Sequence, residues 1–181
     1  MRFGSRFLLI SIVWLISATF IVGMMPVVSA EVMKIKPIKT SSDKRYEGFS
    51  DGTIFDKKTG LMWMSNDYWQ MEHEWVNWYT ANEYAQRMNN KKFAGYADWR
   101  LPTVKEASSL YERRKRNTDK DGDKIFIDTM FPKGAGWSTW TREDKKNKAL
   151  IVSFKDEGGN SYQDKITATD AFLRLVRGPI L

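Results

Sequence analysis

The sequence predicts an α+β domain in which two helices accompany a twisted antiparallel sheet of short strands. Three observations lead to this prediction: a polar turn between two short β segments at 51–64, two helical stretches between residues 75 and 113, and several short β-like runs beyond residue 128. A hairpin, then helices, then strands separated by turns is typical of an α+β fold.

The hairpin lies within 51–64, where Gly60 allows the positive φ that a tight turn needs. The stretch before it, 31–48, is rich in Lys, Ser and Pro and has few apolar residues. Such a stretch buries too little surface to offset the entropy of ordering itself. We therefore predict a linker over 31–48 and one folded domain over 49–181.

The first helix is predicted from Trp75 to Met88, where apolar residues recur every three or four positions. The preceding stretch, 66–74, shows no clear period and is predicted as a loop. The second helix begins after Thr103, because Thr103 and Glu106 have the spacing of a capping box. We expect this helix to run from Val104 to about Arg113.

The segment 95–106 joins a turn to the start of the second helix and is the most informative stretch of the chain. Trp99 and Leu101 are predicted to be core residues on one face of an extended segment. Asp98 and Arg100 share the other face and are predicted to form a charge-assisted pair. The residues that we interpret as structural supports of this corner are Asp98, Trp99, Arg100, Thr103 and Glu106.

Short strands are predicted in the last third of the chain, at 136–140, 149–154, 161–163 and 172–177. Turn-forming residues such as those at 156–160 separate them. Seven of the eight tryptophans follow residue 30, which suits either a core pinned by indoles or a surface that stacks on sugars. We favour pinning, because an indole is costly to leave in water.

The first thirty residues are typical of an export signal. Two cations, Arg2 and Arg6, precede an apolar run over 7–25, and small residues at 28–30 suit a signal peptidase. We expect cleavage after Ala30. The alternative is an uncleaved N-terminal anchor, because the run is long for a secretory signal. In either case the protein is predicted to be exported, to the periplasm, the outer surface or the medium.

The chain carries a formal net charge of +7, and only two of its cations belong to the predicted leader. This charge favours anionic partners, although nucleic acid is a poor candidate for an exported chain. The chain has no cysteine. Neither a disulfide nor lipid attachment at a cysteine is therefore available.

The densest basic cluster is predicted as a ligand-binding site and consists of Arg113, Arg114, Lys115 and Arg116. Guanidinium groups match the geometry of sulfate, carboxylate and phosphate, and adjacent cations strengthen the attraction. The alternative is a solvated helix end whose cations complement the helix dipole. A second basic group, Lys145, Lys146 and Lys148, extends the cluster if the fold brings it near.

An acidic loop follows the basic cluster and resembles the first half of a calcium loop. Its candidate oxygen ligands alternate around a glycine turn and are Asn117, Asp119, Asp121, Asp123 and Asp128. Two features depart from a calcium loop: Lys124 replaces the usual hydrophobic residue, and the last ligand is Asp instead of Glu. The alternative is a soluble turn built from good turn formers.

No residue pattern predicts an enzyme. His73 is the only histidine, so a zinc site or a histidine-assisted nucleophile lacks its other members. Ser138 and Ser153 have no base that the sequence places beside them, and acyl transfer needs one. We therefore predict a protein without catalytic activity.

Several stretches occur in a fixed order from about residue 49 to 179, and they are 51–53 with 59–63, 95–103 with Glu106, 127–128 with 131–132, 137–139, and 174–178. Together they resemble the Lcl C-terminal domain family, a group of exported bacterial domains. The resemblance implies a C-type-lectin-like fold related to that of the formylglycine-generating enzyme. It also implies a ligand-binding or adhesive role, with sulfated glycosaminoglycans bound by the adhesin that names the family.

The resemblance also marks one departure from the family. Members usually carry two cysteines at the positions occupied here by Ala85 and Leu175, which implies that apolar packing replaces a disulfide. The cysteine-dependent oxidation catalysed by the related enzyme is excluded, because this chain has no cysteine.

We therefore expect an exported, non-enzymatic recognition or adhesion domain that binds an anionic or glycan ligand, assisted by Ca²⁺ if the acidic loop binds it. The alternative is a structural or assembly subunit of a cell-envelope protein complex. Contact with a membrane is expected only through an uncleaved leader. Residues 31–48 show no heptad pattern, so any oligomer would form through the domain itself.

Overall fold

The computed structural model describes residues 36–181, and the leader predicted over 1–30 lies outside the described residues. The α-helices of the described part are α1 (Tyr68–Glu72), α2 (Trp78–Asn90) and α3 (Val104–Leu110). Its strands are β1 (Lys39–Thr40), β2 (Tyr46–Gly48), β3 (Thr53–Asp56), β4 (Leu61–Met64), β5 (Asn117–Thr118), β6 (Lys124–Ile125), β7 (Ser138–Lys145), β8 (Lys148–Ser153), β9 (Asn160–Asp164) and β10 (Val176–Arg177). The predicted α+β class is confirmed.

The first sheet contains five antiparallel strands in the order β1-β2-β3-β4-β10. Strands β3 and β4 form the hairpin that the sequence predicts at 51–64, and Gly60 in its turn has a φ of 73°. Strand β10 pairs with β4, so Val176 lies opposite Trp63. Strands β1 and β10, the first and last described strands in sequence, are therefore the two edges of this sheet.

The linker predicted over 31–48 is wrong from β1 onward, because β1 and β2 belong to the first sheet. Tyr46 is fully buried, and Arg45 forms a two-point ion pair with buried Asp56 at 2.9 and 2.5 Å. Arg45 also donates a hydrogen bond to the Ser109 carbonyl oxygen at 2.9 Å. Contacts with residues later in the chain therefore order this segment. Its low apolar content, on which the linker prediction rested, does not prevent it from folding.

Helix α1 lies in the stretch that the sequence predicts as a loop. The Asp67 carboxylate accepts a hydrogen bond from the Gln70 amide, and the Gln70 side chain accepts one from the Asp67 amide. This is a capping box, with Asp and Gln in place of the more common Ser or Thr and Glu. The helix has only five residues, too few to show a helical period.

Helix α2 begins at Trp78 and not at the predicted Trp75. The Asn77 side chain accepts a hydrogen bond from the Thr80 amide and so fixes the first turn. Trp75 is 41 % exposed, outside the helix and outside the core. The buried face of α2 consists of Ala81, Tyr84, Ala85 and Met88.

Helix α3 begins at Val104, as predicted, but it ends at Leu110 instead of about Arg113. Tyr111 leaves the helical region with φ −70° and ψ 119°. The basic cluster therefore follows the helix on an irregular segment. The helix dipole acts mainly within the last turn, so it offers less stabilisation to these cations than the sequence suggests.

The second sheet is antiparallel with the order β7-β8-β9, and β5 pairs with β6 in a separate small hairpin. The strands predicted at 136–140, 149–154 and 161–163 correspond to β7, β8 and β9. Of the strand predicted at 172–177, only β10 pairs in a sheet. The buried stretch 171–175 instead accepts hydrogen bonds from the amides of Met64, Tyr68 and Val76.

Two hydrophobic clusters form the core. One joins α2 to β7, β8 and the stretch 171–175, and the other lies between the first sheet and α3. Ala85 and Leu175 belong to the same cluster, so the two positions at which the resemblance implies cysteines hold buried apolar side chains in this chain. Among the residues described, no helix is long and apolar enough to cross a membrane.

Candidate functional site

The segment 95–106 adopts the predicted structure, except for its ion pairs. Trp99 and Leu101 are buried, and Thr103 and Glu106 form the capping box. The predicted pair of Asp98 with Arg100 is wrong, because the Arg100 guanidinium binds Glu106 at 2.7 and 2.8 Å. Asp98 instead accepts a hydrogen bond from Arg177 at 2.7 Å, on the surface. The capping box brings Glu106 nearer to Arg100 than the neighbouring aspartate.

The carboxylate of Glu106 is fully buried and accepts several hydrogen bonds. Its donors besides Arg100 are the Thr103 amide at 2.8 Å and the Leu181 amide at 3.2 Å. Burial by itself raises the pKa of Glu106, but the hydrogen bonds outweigh it and hold that pKa below its ordinary value. Glu106 thus connects the start of α3 to the end of the chain.

Acid should weaken the fold through Glu106. A carboxyl whose folded pKa is lowered stabilises the fold above its unfolded pKa, and this stabilisation is lost as pH falls through the folded pKa. Glu106→Gln should cost about 1–3 kcal/mol near neutral pH, because it weakens charged hydrogen bonds. Urea unfolding at neutral and acidic pH should show a smaller acid effect in this variant than in the parent. Equal acid effects would exclude Glu106 as a contributor.

The predicted basic cluster divides into two groups. The side chains of Arg113, Arg114 and Arg116 are exposed. Lys115 points inward, where its ammonium group lies 2.6 Å from Asp43 and 2.6 Å from Asp128. Lys115 is therefore a structural residue that ties the N-terminal segment to the loop before Phe131.

A fourth exposed cation joins the three arginines. The Arg116 guanidinium lies 4.8 Å from the centre of the Phe126 ring, and the Lys124 ammonium lies 4.9 Å from the same ring. Arg116 also donates hydrogen bonds to the carbonyl oxygens of Arg113 and Lys115. We call Arg113, Arg114, Arg116 and Lys124 the basic patch. The sequence prediction does not include Lys124 in the basic cluster, because only the β5–β6 pairing, with Lys124 opposite Thr118, brings it to the ring that Arg116 contacts.

The five predicted calcium ligands do not surround one point. Asp119 and Asp123 both lie 2.8 Å from the Lys155 ammonium, whereas Asp128 binds Lys115. The remaining candidates are also engaged elsewhere, since the Asn117 side-chain amide donates to two backbone carbonyls and Asp121 pairs with Lys120.

The ammonium groups of Lys155 and Lys115 thus bind the carboxylates that a calcium ion would need as ligands. Burial by itself lowers the pKa of Lys155, but its hydrogen bonds to Asp119 and Asp123 outweigh burial and raise that pKa. Lys155 therefore stays charged within this loop. Within residues 36–181, no group of three His, Cys, Asp or Glu side chains is placed to hold a metal ion. The donor arrangement does not support the calcium hypothesis.

The second basic group, Lys145, Lys146 and Lys148, lies at the turn between β7 and β8. The other end of β8 leads to Phe154, whose carbonyl oxygen accepts a hydrogen bond from the amide of Phe126, the residue whose ring Arg116 and Lys124 contact. A strand rises about 3.3 Å per residue, so the six residues of β8 separate the two groups by roughly 20 Å. The turn lysines therefore do not extend the patch.

The tryptophans mostly act as core pins. Trp63, Trp99 and Trp140 are buried, and the indole nitrogens of the last two donate to backbone carbonyl oxygens. Trp69 and Trp75 form a tilted pair with ring centres 6.2 Å apart, and the Lys120 ammonium lies 4.9 Å from Trp69. The pinning interpretation holds for the buried indoles, whereas Trp75 faces solvent.

The residues considered for catalysis, His73, Ser138 and Ser153, make no hydrogen bond to one another. His73 is exposed and ends α1 in a left-handed conformation with φ 59°. Ser138 is buried, and the Ser153 hydroxyl accepts a hydrogen bond from the Lys155 amide. None of these contacts pairs a nucleophile with a base, which acyl transfer requires.

The described residues form an α+β domain that carries an exposed basic patch and whose buried charged side chains are paired. The Lcl C-terminal domain family matches this chain over residues 52–177. The chain belongs to that family. No curated protein and no solved structure gives a significant match.

Proposed function

We propose that this protein is an exported, non-enzymatic recognition domain whose basic patch binds an anionic polymer of the glycosaminoglycan type. The observation that carries the proposal is the patch itself: four exposed cations, two of which, Arg116 and Lys124, lie against the Phe126 ring, with no carboxylate within ion-pair distance among the described residues. The C-type-lectin-like fold implied by the resemblance is part of the proposal. Small antiparallel sheets, short helices and long irregular segments are consistent with it.

The patch is suited to sulfate and carboxylate groups on a flexible chain. A guanidinium group presents a planar fork that matches two oxygens of such a group. Arg116 is held in place by two backbone carbonyl oxygens and by the Phe126 ring, so less side-chain entropy is lost on binding. Because Lys115 is neutralised by Asp43 and Asp128, the attraction depends on the other four cations.

Replacing Arg113, Arg114 and Arg116 with alanine should strongly reduce retention of the protein on immobilised heparin. The three side chains are exposed, so their removal should leave the fold intact. The measurement is the salt concentration at which each variant elutes, together with a thermal melt that checks the fold.

The matched control replaces Lys145, Lys146 and Lys148 with alanine. It removes the same charge from the far end of β8 and should elute close to the parent. Equal losses in the two variants would show that net charge, and not the patch, governs retention. Lys115→Ala should lower the free energy of unfolding but change the elution salt concentration little, because this side chain bridges two aspartates.

A second candidate function is that of an assembly subunit in a cell-envelope complex. The observation that favours it is a group of exposed apolar side chains around the α1–α2 connection: Met71 (43 % exposed), Trp75 (41 %) and Tyr79 (49 %). Exposed aromatic residues are enriched at protein interfaces. In cells, chemical cross-linking should join the parent protein to an envelope partner. Replacing Trp75 and Tyr79 with serine should abolish this cross-link and leave heparin retention unchanged. Persistence of the cross-link would reject this surface.

A further inference from the structure

A polar cleft of about 390 Å³ lies between α2, the segment around Arg100 and strand β7. It is separate from the basic patch, because it meets α3 at its N-terminal end: the Arg142 amide donates to the Pro102 carbonyl oxygen at 2.9 Å. The patch follows the opposite end of α3. The polar and aromatic residues of α2 and β7 that line the cleft are Trp78, Asn82, Gln86, Asn89, Arg142 and Asp144.

Two residues that line the cleft, Trp78 and Asn89, are held by hydrogen bonds within the protein. The Asn89 side chain accepts a hydrogen bond from the Trp99 amide at 2.6 Å and donates one to the Trp99 carbonyl oxygen at 2.9 Å. The Trp78 indole nitrogen donates to the Thr141 carbonyl oxygen at 2.9 Å. Asn89 and Trp78 are therefore held in position before any ligand arrives.

The rim of the cleft offers unused hydrogen-bonding groups. The side chains of Gln86 and Arg142 are exposed, and neither makes a hydrogen bond to any described residue. Asn82 donates through its nitrogen to the Trp78 carbonyl oxygen, and its side-chain oxygen accepts no hydrogen bond from a described residue. Asn82 and Gln86 are four residues apart on α2 and so lie on one face of the helix.

The charge of the cleft is that of one guanidinium group. Asp144 is neutralised by the Lys165 ammonium at 2.5 Å, and this ammonium also lies 4.4 Å from the Trp78 ring. Arg100 is bound to Glu106, so Arg142 is left without an ion-pair partner among residues 36–181. A ligand with a single carboxylate matches this balance better than a dianionic phosphate does.

We propose that this cleft binds an acidic sugar unit, with Arg142 holding its carboxylate and Asn82 and Gln86 holding its ring hydroxyls. Amide side chains donate and accept hydrogen bonds at once, as hydroxyl groups do. Trp78 also lines the cleft and adds apolar surface beside these polar groups. The site does not depend on the basic patch, so it stands whether or not the patch binds a polymer.

The test is a titration of the purified protein with sodium glucuronate, followed by the NMR signal of the Trp78 indole N–H. Binding should saturate at roughly millimolar concentrations, as expected for a small ligand with few contacts. Glucose, which lacks the carboxylate, and N-acetylglycine, which lacks the hydroxylated ring, should each bind at least about tenfold more weakly.

Arg142→Gln should weaken glucuronate binding at least about tenfold and remove the preference over glucose. Gln86→Ala should weaken both sugars and keep the preference. The variant with alanine at Arg113, Arg114 and Arg116 should bind glucuronate as the parent does, which separates this site from the patch. Absence of a saturable shift, unchanged binding in Arg142→Gln, or tighter binding of N-acetylglycine would each overturn the proposal.

Discussion

Replacing Asp56 with alanine should destabilise the domain by about 3–5 kcal/mol, because it leaves the Arg45 guanidinium buried with a weakened set of partners. Asp56 is fully buried, and it accepts two hydrogen bonds from Arg45 and one from the Lys58 amide. The remaining acidic partner of Arg45 is Glu112, at 3.0 Å. Urea unfolding followed by tryptophan fluorescence measures the loss.

Two control variants test whether loss of the buried ion pair causes the destabilisation in Asp56→Ala. Glu47→Ala removes the partly exposed partner of Lys57 and should cost less than about 1 kcal/mol. A double variant, Arg45→Met with Asp56→Leu, should recover much of the loss, because apolar residues of similar size can replace a buried ion pair. A small effect of Asp56→Ala would mean that the segment before residue 49 behaves as the linker that the sequence predicts.

Trp99→Ala should cost about 3–5 kcal/mol, since a buried indole leaves a large cavity. Trp99 is 2 % exposed and packs edge-to-face against Phe93 and Tyr96. Its indole nitrogen donates to the Phe93 carbonyl oxygen at 3.0 Å, and Asn89 binds its backbone on both sides. Thermal and urea unfolding should both report the change.

The neighbouring residue supplies the control for Trp99. Asp98→Ala removes only a surface pair with Arg177 and should cost less than about 1 kcal/mol. Comparable losses in the two variants would show that the segment is held by its surface charges and not by the buried indole.

The parts of the fold that the sequence predicts correctly depend on short spacings. Thr103 and Glu106 are three residues apart, and the β3–β4 hairpin turns around Gly60, so local geometry alone identifies both. The end of α3 was misplaced because no stop signal marks Tyr111. The strand β1 was missed because its order depends on pairing with β2, not on its own composition.

The charged residues show why the site was harder to predict. Lys115 and Arg116 are adjacent in sequence, yet one is bound between two aspartates and the other is exposed. The partners of Lys115 lie far away or in a following loop, and no periodicity identifies them. Likewise, Lys155 reaches Asp119 from a separate turn, which converts a candidate cation loop into an internal ion pair. Ion pairs with residues distant in sequence decide which cations are structural and which stay exposed for binding. Residue spacing alone does not reveal these pairs.

The salt dependence of heparin affinity tests the basic patch most directly. Each cation that contacts a polyanion releases roughly one counterion, so the slope of log Kd against log salt should fall by about three when Arg113, Arg114 and Arg116 become alanine. The variant lacking Lys145, Lys146 and Lys148 should keep the slope of the parent. An unchanged slope in the arginine variant, or an equal fall in the lysine variant, would contradict binding at the patch.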